Sequence, residues 1–144
     1  MQQPWYGQAI AQCIVAEYLL KYFPYEDFLI YEMGAGNGTL ALNVLDFLAQ
    51  EYPEVYERTQ YRIIEISKSL AEVQRQQVAS KHSCVEIVNK SVFDWDRHEP
   101  APCFFLALEV VVSRLMYLLY AVQLNQTQYR ITFLMMWCDI DWMT

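Results

Sequence analysis

One segment constrains this chain more than any other: Glu32-Met33-Gly34-Ala35-Gly36-Asn37-Gly38-Thr39. It follows the short apolar run Phe28 to Met33 and precedes Thr39 to Tyr52, which carries Leu40, Val44, Leu45 and Leu48 on one helical face and ends at Pro53. A buried strand, a tight glycine turn and an amphipathic helix are therefore expected in succession. Glycines at such a junction permit a sharp turn and let backbone approach a ligand closely. The pattern is E-x-G-x-G-x-G; a G-x-G-x-x-G dinucleotide loop would need glycine where Thr39 stands. The acid also matters. A helix N-terminus favours phosphate, and a carboxylate two residues before the first glycine opposes it. Glu32 suits a ligand with a cationic amino group and no phosphate, such as S-adenosylmethionine. A ligand-free glycine turn and a nucleotide phosphate loop remain as alternatives.

The rest of the chain repeats the alternation. Ile10, Ile14, Tyr18 and Tyr22 predict a helix from about Trp5 to Phe23, closed by Pro24. Tyr61 to Ile66 reads as a second strand. Ser69 and Glu72 form an S-x-x-E capping box opening a helix to about Ser80. Cys84 to Val88 is a third strand, Asp94 to Pro102 a polar loop, and Cys103 to Leu108 a fourth strand. Strands alternating with helices predict an α/β fold with a parallel sheet and right-handed crossovers. Its buried strands should be continuous apolar runs, as Phe28 to Met33 and Cys103 to Leu108 are.

Composition excludes several classes. The 144 residues are 55% hydrophobic and 19% charged, too apolar for a disordered chain, and their length suits one domain. A net charge of −7 gives no basic footprint for nucleic acid. Cys13, Cys84, Cys103 and Cys138 form no C-x-x-C pair, and His82 and His98 lie apart. No metal site is expected, and the cysteines read as small buried hydrophobes. The most apolar window, Cys103 to Val122, is interrupted by Glu109 and Arg114. Each would cost roughly 2.5–3.5 kcal/mol at a bilayer centre, so no stable membrane span is expected. No presequence is visible at Met1 to Trp5.

Three further acids lie where strands of such a sheet end, and ligands of open α/β sheets bind there. Glu65 can accept both hydroxyls of a ribose; otherwise it reaches solvent or pairs with Arg62. Asp94 can bond an adenine amino group, with Phe93 or Trp95 against the ring, or is an ordinary loop acid. Glu109 can hold a cationic acceptor, or is a strand-end charge without a role.

The segments Tyr6-Gly7-Gln8-Ala9-Ile10-Ala11, Tyr31 to Leu40 and Ile64-Glu65-Ile66-Ser67-Lys68-Ser69-Leu70 together resemble the mitochondrial complex I assembly methyltransferases and their bacterial MidA-like relatives. These are class I S-adenosylmethionine-dependent enzymes, with type II protein arginine methyltransferase activity in animals. The resemblance covers about Trp5 to Glu109. It implies a Rossmann-like sheet of order 3-2-1-4 and S-adenosyl-L-methionine as cofactor. It implies that Glu32, Gly34, Gly36 and Gly38 line the methionine part, that Glu65 holds the ribose, and that Asp94 meets the adenine. Glu109 matches the acid of the family's fourth-strand motif and would be catalytic. The acceptor it implies is protein arginine, that of a complex I subunit, and the compartment mitochondrial.

Beyond Glu109 the match breaks. The family continues with an acid and a histidine, where this chain reads Val110-Val111-Val112-Ser113-Arg114-Leu115. Residues 110–144 contain four charged residues and no Gly or Pro. A helix from about Ser113 to Val122 and a strand near Tyr129 to Met135 are expected there. The expected organisation is residues 1–109 as the N-terminal part of a methyltransferase domain and 110–144 as a divergent apolar tail of a truncated gene product. Two other functions stay open: a catalytically inactive methyltransferase-like assembly module, and a dinucleotide oxidoreductase, which Glu32 and Thr39 disfavour.

Overall fold

A computed structural model describes residues 4–94, 99, 101–107 and, for the backbone alone, 131–134. The elements are α1 (Pro4–Lys21), β1 (Phe28–Met33), α2 (Thr39–Glu51), α3 (Pro53–Tyr56), β2 (Thr59–Ile64), α4 (Lys68–Gln74) with a π-helical turn over Arg75–Ala79, β3 (Val85–Val88), a 3-10 turn over Val92–Asp94, β4 (Cys103–Ala107) and β5 (Ile131–Leu134). The strands form one sheet of order β3-β2-β1-β4-β5, every neighbouring pair parallel. The expected 3-2-1-4 order is present, and β5 extends it beside β4 within the stretch expected to hold a strand. The expected helix from Ser113 to Val122 lies outside the described residues.

Register fixes where a ligand could meet the sheet. Met33 pairs with Ile64 and with Ala107, and Ile64 pairs with Val88. The carboxyl ends of four strands thus lie in one row. Gly34 and Glu65 are the first residues beyond it.

Period-two alternation divides the sheet into two faces. Phe28, Ile30, Tyr61, Ile63, Phe104 and Leu106 pack against α1, α2, α3 and Val78 in the main core. Leu29, Tyr31, Met33, Ile64 and Cys103 form a second cluster on the opposite face. Every residue of β1 is buried, as a continuous apolar run between covered faces should be. The helices close on one another as well. A Cβ on Gly7 of α1 would come within 2.6 Å of the Asn43 Cβ on α2, so only glycine permits this approach.

Several boundaries differ from expectation. Strand β2 covers Thr59 to Ile64, two residues earlier than the apolar pattern suggests. Thr59 is buried and bonds the Val55 carbonyl through its hydroxyl, which makes a polar residue a good strand start. The cap of α4 is Ser67, whose Oγ accepts from the Leu70 backbone N–H at 3.3 Å. Ser69 lies inside the helix, so the Ser69–Glu72 capping box is not formed. Cys13 is exposed on α1 and is not the buried hydrophobe expected; Cys103 is buried. Among the described residues no helix is long and apolar enough to cross a membrane.

Candidate functional site

The glycine turn has the geometry its composition allows. Gly34, Gly36 and Gly38 take φ of 68°, 56° and 85°, in the left-handed region that side chains rarely adopt. Gly38 is the N-cap of α2, and its N–H bonds the Ala35 carbonyl at 2.9 Å. The three glycines differ in what surrounds them. A Cβ on Gly38 would meet Val78 Cγ2 at 2.6 Å, so this glycine exists for packing against the π turn. A Cβ on Gly36 would meet nothing within 4 Å. The backbone at Gly36 therefore borders open space.

Glu32 is the last but one residue of β1 and only 3% exposed, on the same face as Phe28 and Ile30. Its Oε2 accepts a hydrogen bond from the Tyr61 hydroxyl at 2.7 Å. Burial pushes the carboxyl up to about 7, and the Tyr61 bond opposes that rise only in part. The Tyr61 hydroxyl is raised well above its usual value, first by burial and then by the Glu32 charge. A buried carboxyl without a cation beside it is costly when ionised. Among the described residues no cation is paired with Glu32, so a cationic group in its reach would gain what they do not supply.

Glu65 lies just past β2, with its N–H bonded to the Val88 carbonyl and 5% of its surface exposed. Oε1 accepts from the Ser67 backbone N–H at 2.9 Å and Oε2 from Gln74 Nε2 at 3.1 Å. Asn89 Nδ2, beyond β3, bonds the Glu65 and Ile66 carbonyls at 2.8 and 3.2 Å and fixes this turn. The alternative pairing of Glu65 with Arg62 is overturned. Arg62 sits on the second face and bonds Glu86 at 3.1 Å and Glu99 at 2.6 Å.

Gln74 is the residue that sequence reasoning missed. It is fully buried on α4, and its Nε2 donates to the Gly36 carbonyl at 2.8 Å as well as to Glu65. It thereby ties the glycine turn to the carboxylate of the neighbouring strand. The available signal was its position: Ala71, Gln74 and Val78 share the buried stripe of this helix. A π-helical turn begins at the next residue; such turns recur at functional sites.

Asp94 ends the 3-10 turn and is exposed, beside Phe93, 57% exposed. The Ser91 carbonyl accepts from the Asp94 N–H at 3.0 Å, which folds this turn outside β3. Glu109 lies outside the described residues. The structure thus links Gly36 and Glu65 through Gln74 and places Glu32 on the strand leading into the glycine turn. Among the described residues no group of three His, Cys, Asp or Glu could hold a metal ion.

Comparison with known proteins follows the same lines. Residues 9–112 match the sequence family described as "Putative S-adenosyl-L-methionine-dependent methyltransferase". A Schizosaccharomyces pombe protein, named protein arginine methyltransferase NDUFAF7 homolog, mitochondrial, is 33% identical over 117 residues, which are 78% of this chain and 25% of that one. The chain thus spans about a quarter of that relative's length. Among solved structures, the 23S rRNA methyltransferase ErmE superposes with a TM-score of 0.60 at 19% identity, over 92% of this chain and 46% of that one. A Burkholderia thailandensis protein bound to S-adenosyl-homocysteine gives 0.54 at 20% identity, over 72% and 25%. At these identities the two structures speak for the fold alone: a parallel sheet of the class I methyltransferase type.

Proposed function

Since the chain belongs to this family of S-adenosyl-L-methionine-dependent methyltransferases, we propose that it binds S-adenosyl-L-methionine across the carboxyl ends of β1, β2 and β3 and serves methyl transfer to a protein arginine. The observation that carries the reading is the pairing of a buried Glu32, with no cation beside it among the described residues, with an open-sided Gly36 on one strand-turn-helix unit. Glu32, Gly34, Gly36 and Gly38 would hold the methionine part, with Glu32 as counter-charge to its ammonium. Glu65 would take the ribose hydroxyls, and Asp94 the adenine amino group. The donor set fits: an acid for the ammonium, backbone without side chains along the aliphatic part, and a second acid for the diol.

The bound cofactor supplies an electrophilic methyl on a sulfonium. The chain's own residues supply position. Holding the methyl in line with the acceptor nitrogen removes the orientational part of the barrier. Glu109, the first acid past β4 in sequence, would hold the guanidinium and accept the proton that its nitrogen gives up; it is proposed from sequence position. The compartment we propose is mitochondrial, supported by the name of the Schizosaccharomyces pombe relative. A complex I subunit as acceptor rests on the family resemblance. A net charge of −7 speaks against a nucleic-acid substrate.

A second reading has one observation behind it. The stretch Val110 to Leu115 lacks the acid and histidine of the resembled family, which favours residues 1–109 as a methyltransferase part joined to a divergent tail, binding cofactor without turnover. Incubating the chain with radiolabelled S-adenosyl-L-methionine and respiratory-complex protein separates the two. Labelled arginine supports the enzyme; saturable cofactor binding with no labelled protein supports the module.

A further inference from the structure

We propose that Gln74 is a positioning residue of this site, holding the Glu65 carboxylate and the Gly36 peptide in the arrangement that a ribose-bearing ligand requires. The proposal rests on the cofactor reading above and names a residue that reading does not use. Three observations lead to it.

Gln74 is 0% exposed, and its amide nitrogen reaches two acceptors from different elements: the Gly36 carbonyl at 2.8 Å and Glu65 Oε2 at 3.1 Å. This orientation is the one the surroundings permit. Turning the amide over would set its oxygen against the Gly36 carbonyl and the Glu65 carboxylate, both acceptors. The chosen orientation carries a cost. Gln74 Oε1 is buried and has no hydrogen-bond partner among the described residues. A buried carbonyl left unsatisfied is unfavourable, whereas an apolar side chain of similar length would leave nothing unpaired. A methionine or leucine at this helix position would therefore serve the core better. What only the amide provides is the bridge.

The bridge also has a defined reach. Ser67 N–H holds Glu65 Oε1 from one side. Gln74 holds Oε2 from the other, so the carboxylate plane is set by two donors. Each oxygen keeps lone-pair capacity for one further donor, which is what a vicinal diol presents. On its other side the same amide nitrogen fixes the peptide oxygen of Gly36, turning that peptide at the edge of the open space. Val78, one turn on, packs where Gly38 lacks a side chain and holds the helix against the loop.

The test is a binding cycle on the full chain, read by calorimetry with S-adenosylhomocysteine and with its 2′,3′-dideoxy analogue. Gln74→Met should weaken S-adenosylhomocysteine by about tenfold, the order of one hydrogen bond to a charged group. The same substitution in a Glu65→Gln background, or read with the dideoxy analogue, should cost less than about twofold. A residue that merely supports the fold would carry the same penalty in all three. Equal penalties therefore overturn the positioning role while leaving the cofactor reading intact. Failure of the unsubstituted chain to bind S-adenosylhomocysteine contradicts the cofactor reading and this proposal with it. A measurement without any variant completes the test: the Gln74 side-chain amide resonances of the unsubstituted chain should shift on saturation with S-adenosylhomocysteine, and less with the dideoxy analogue. Unmoved resonances count against the proposal.

Discussion

Tyr61 donates its phenolic hydrogen to Glu32 across neighbouring parallel strands, at 2.7 Å and in the interior of the protein. The pair is asymmetric: one donor faces a carboxyl that burial pushes up to about 7. The folded chain consequently holds a proton between about pH 4.5 and about 7 that the unfolded chain has released. Raising pH through that window removes stability, on the order of 3 kcal/mol by its upper end.

Glu32→Gln removes the ionisation and keeps the shape. Above pH 7 the variant should melt at higher temperature than the parent, while below about pH 4.5 the advantage should be absent. Its affinity for S-adenosylhomocysteine should fall, since the ammonium loses its counter-charge. Thermal melts across pH, with calorimetry on the same samples, check both halves. A variant that is less stable at pH 8 and binds undiminished would contradict the assignment.

Tyr61→Phe deletes the side-chain donor that, among the described residues, favours the ionised Glu32. Leaving that carboxyl without its bond should destabilise the chain by about 1–3 kcal/mol. It should also move the pH at which S-adenosylhomocysteine binding develops upward from about 7. Affinity measured from pH 5 to 9 tests this; coincident profiles for parent and variant would separate Glu32 from the ammonium.

The glycines should divide by role. Gly38→Ala introduces both a φ of 85° for a side chain and a contact of 2.6 Å with Val78. A loss of about 1–3 kcal/mol of stability is expected. A Cβ on Gly36 meets open space, so beyond a backbone strain of about 1–3 kcal/mol the damage of Gly36→Val should fall on ligand affinity. Denaturant melts and a binding assay on each variant give the comparison. Equal losses of affinity and stability in both would mean that the loop is only a turn.

Much of this arrangement is legible in the residues because it depends on local rules. Phe28 to Met33 reads as a buried strand since both its faces are covered, and an apolar run records that directly. The glycine turn reads as such because three left-handed positions need three glycines. What depends on distant partners is not legible. On paper Ser69, with Glu72 three residues on, is the cap, yet the structure uses Ser67, the residue that also presents its N–H to Glu65. Arg62 lies within three residues of Glu65, yet alternation sends it to the other face, where Glu86 and Glu99 hold it. Gln74 looks like one more polar residue on a helix until its two acceptors are seen, one just before its own helix at Glu65 and one beyond β2 at Gly36.

Glu65→Ala should weaken S-adenosylhomocysteine more than Asp94→Ala does. Glu65 is 5% exposed and held by two donors, whereas Asp94 is exposed on a short turn. Losing a charged hydrogen-bonding partner at a buried site is worth roughly 1.5–3 kcal/mol, and an exposed bond is worth less. Equal affinities for the two variants would remove the distinction between ribose acid and adenine acid.

The central claim is that this strand-turn-helix unit is a site for S-adenosyl-L-methionine and not for a dinucleotide. Calorimetric titration of the chain with S-adenosylhomocysteine, and in parallel with NAD, tests it most directly. The account predicts saturable binding of S-adenosylhomocysteine at one site per chain, weakened at least tenfold by Glu65→Ala, and no heat with NAD. Saturable binding of NAD with none of S-adenosylhomocysteine would contradict it.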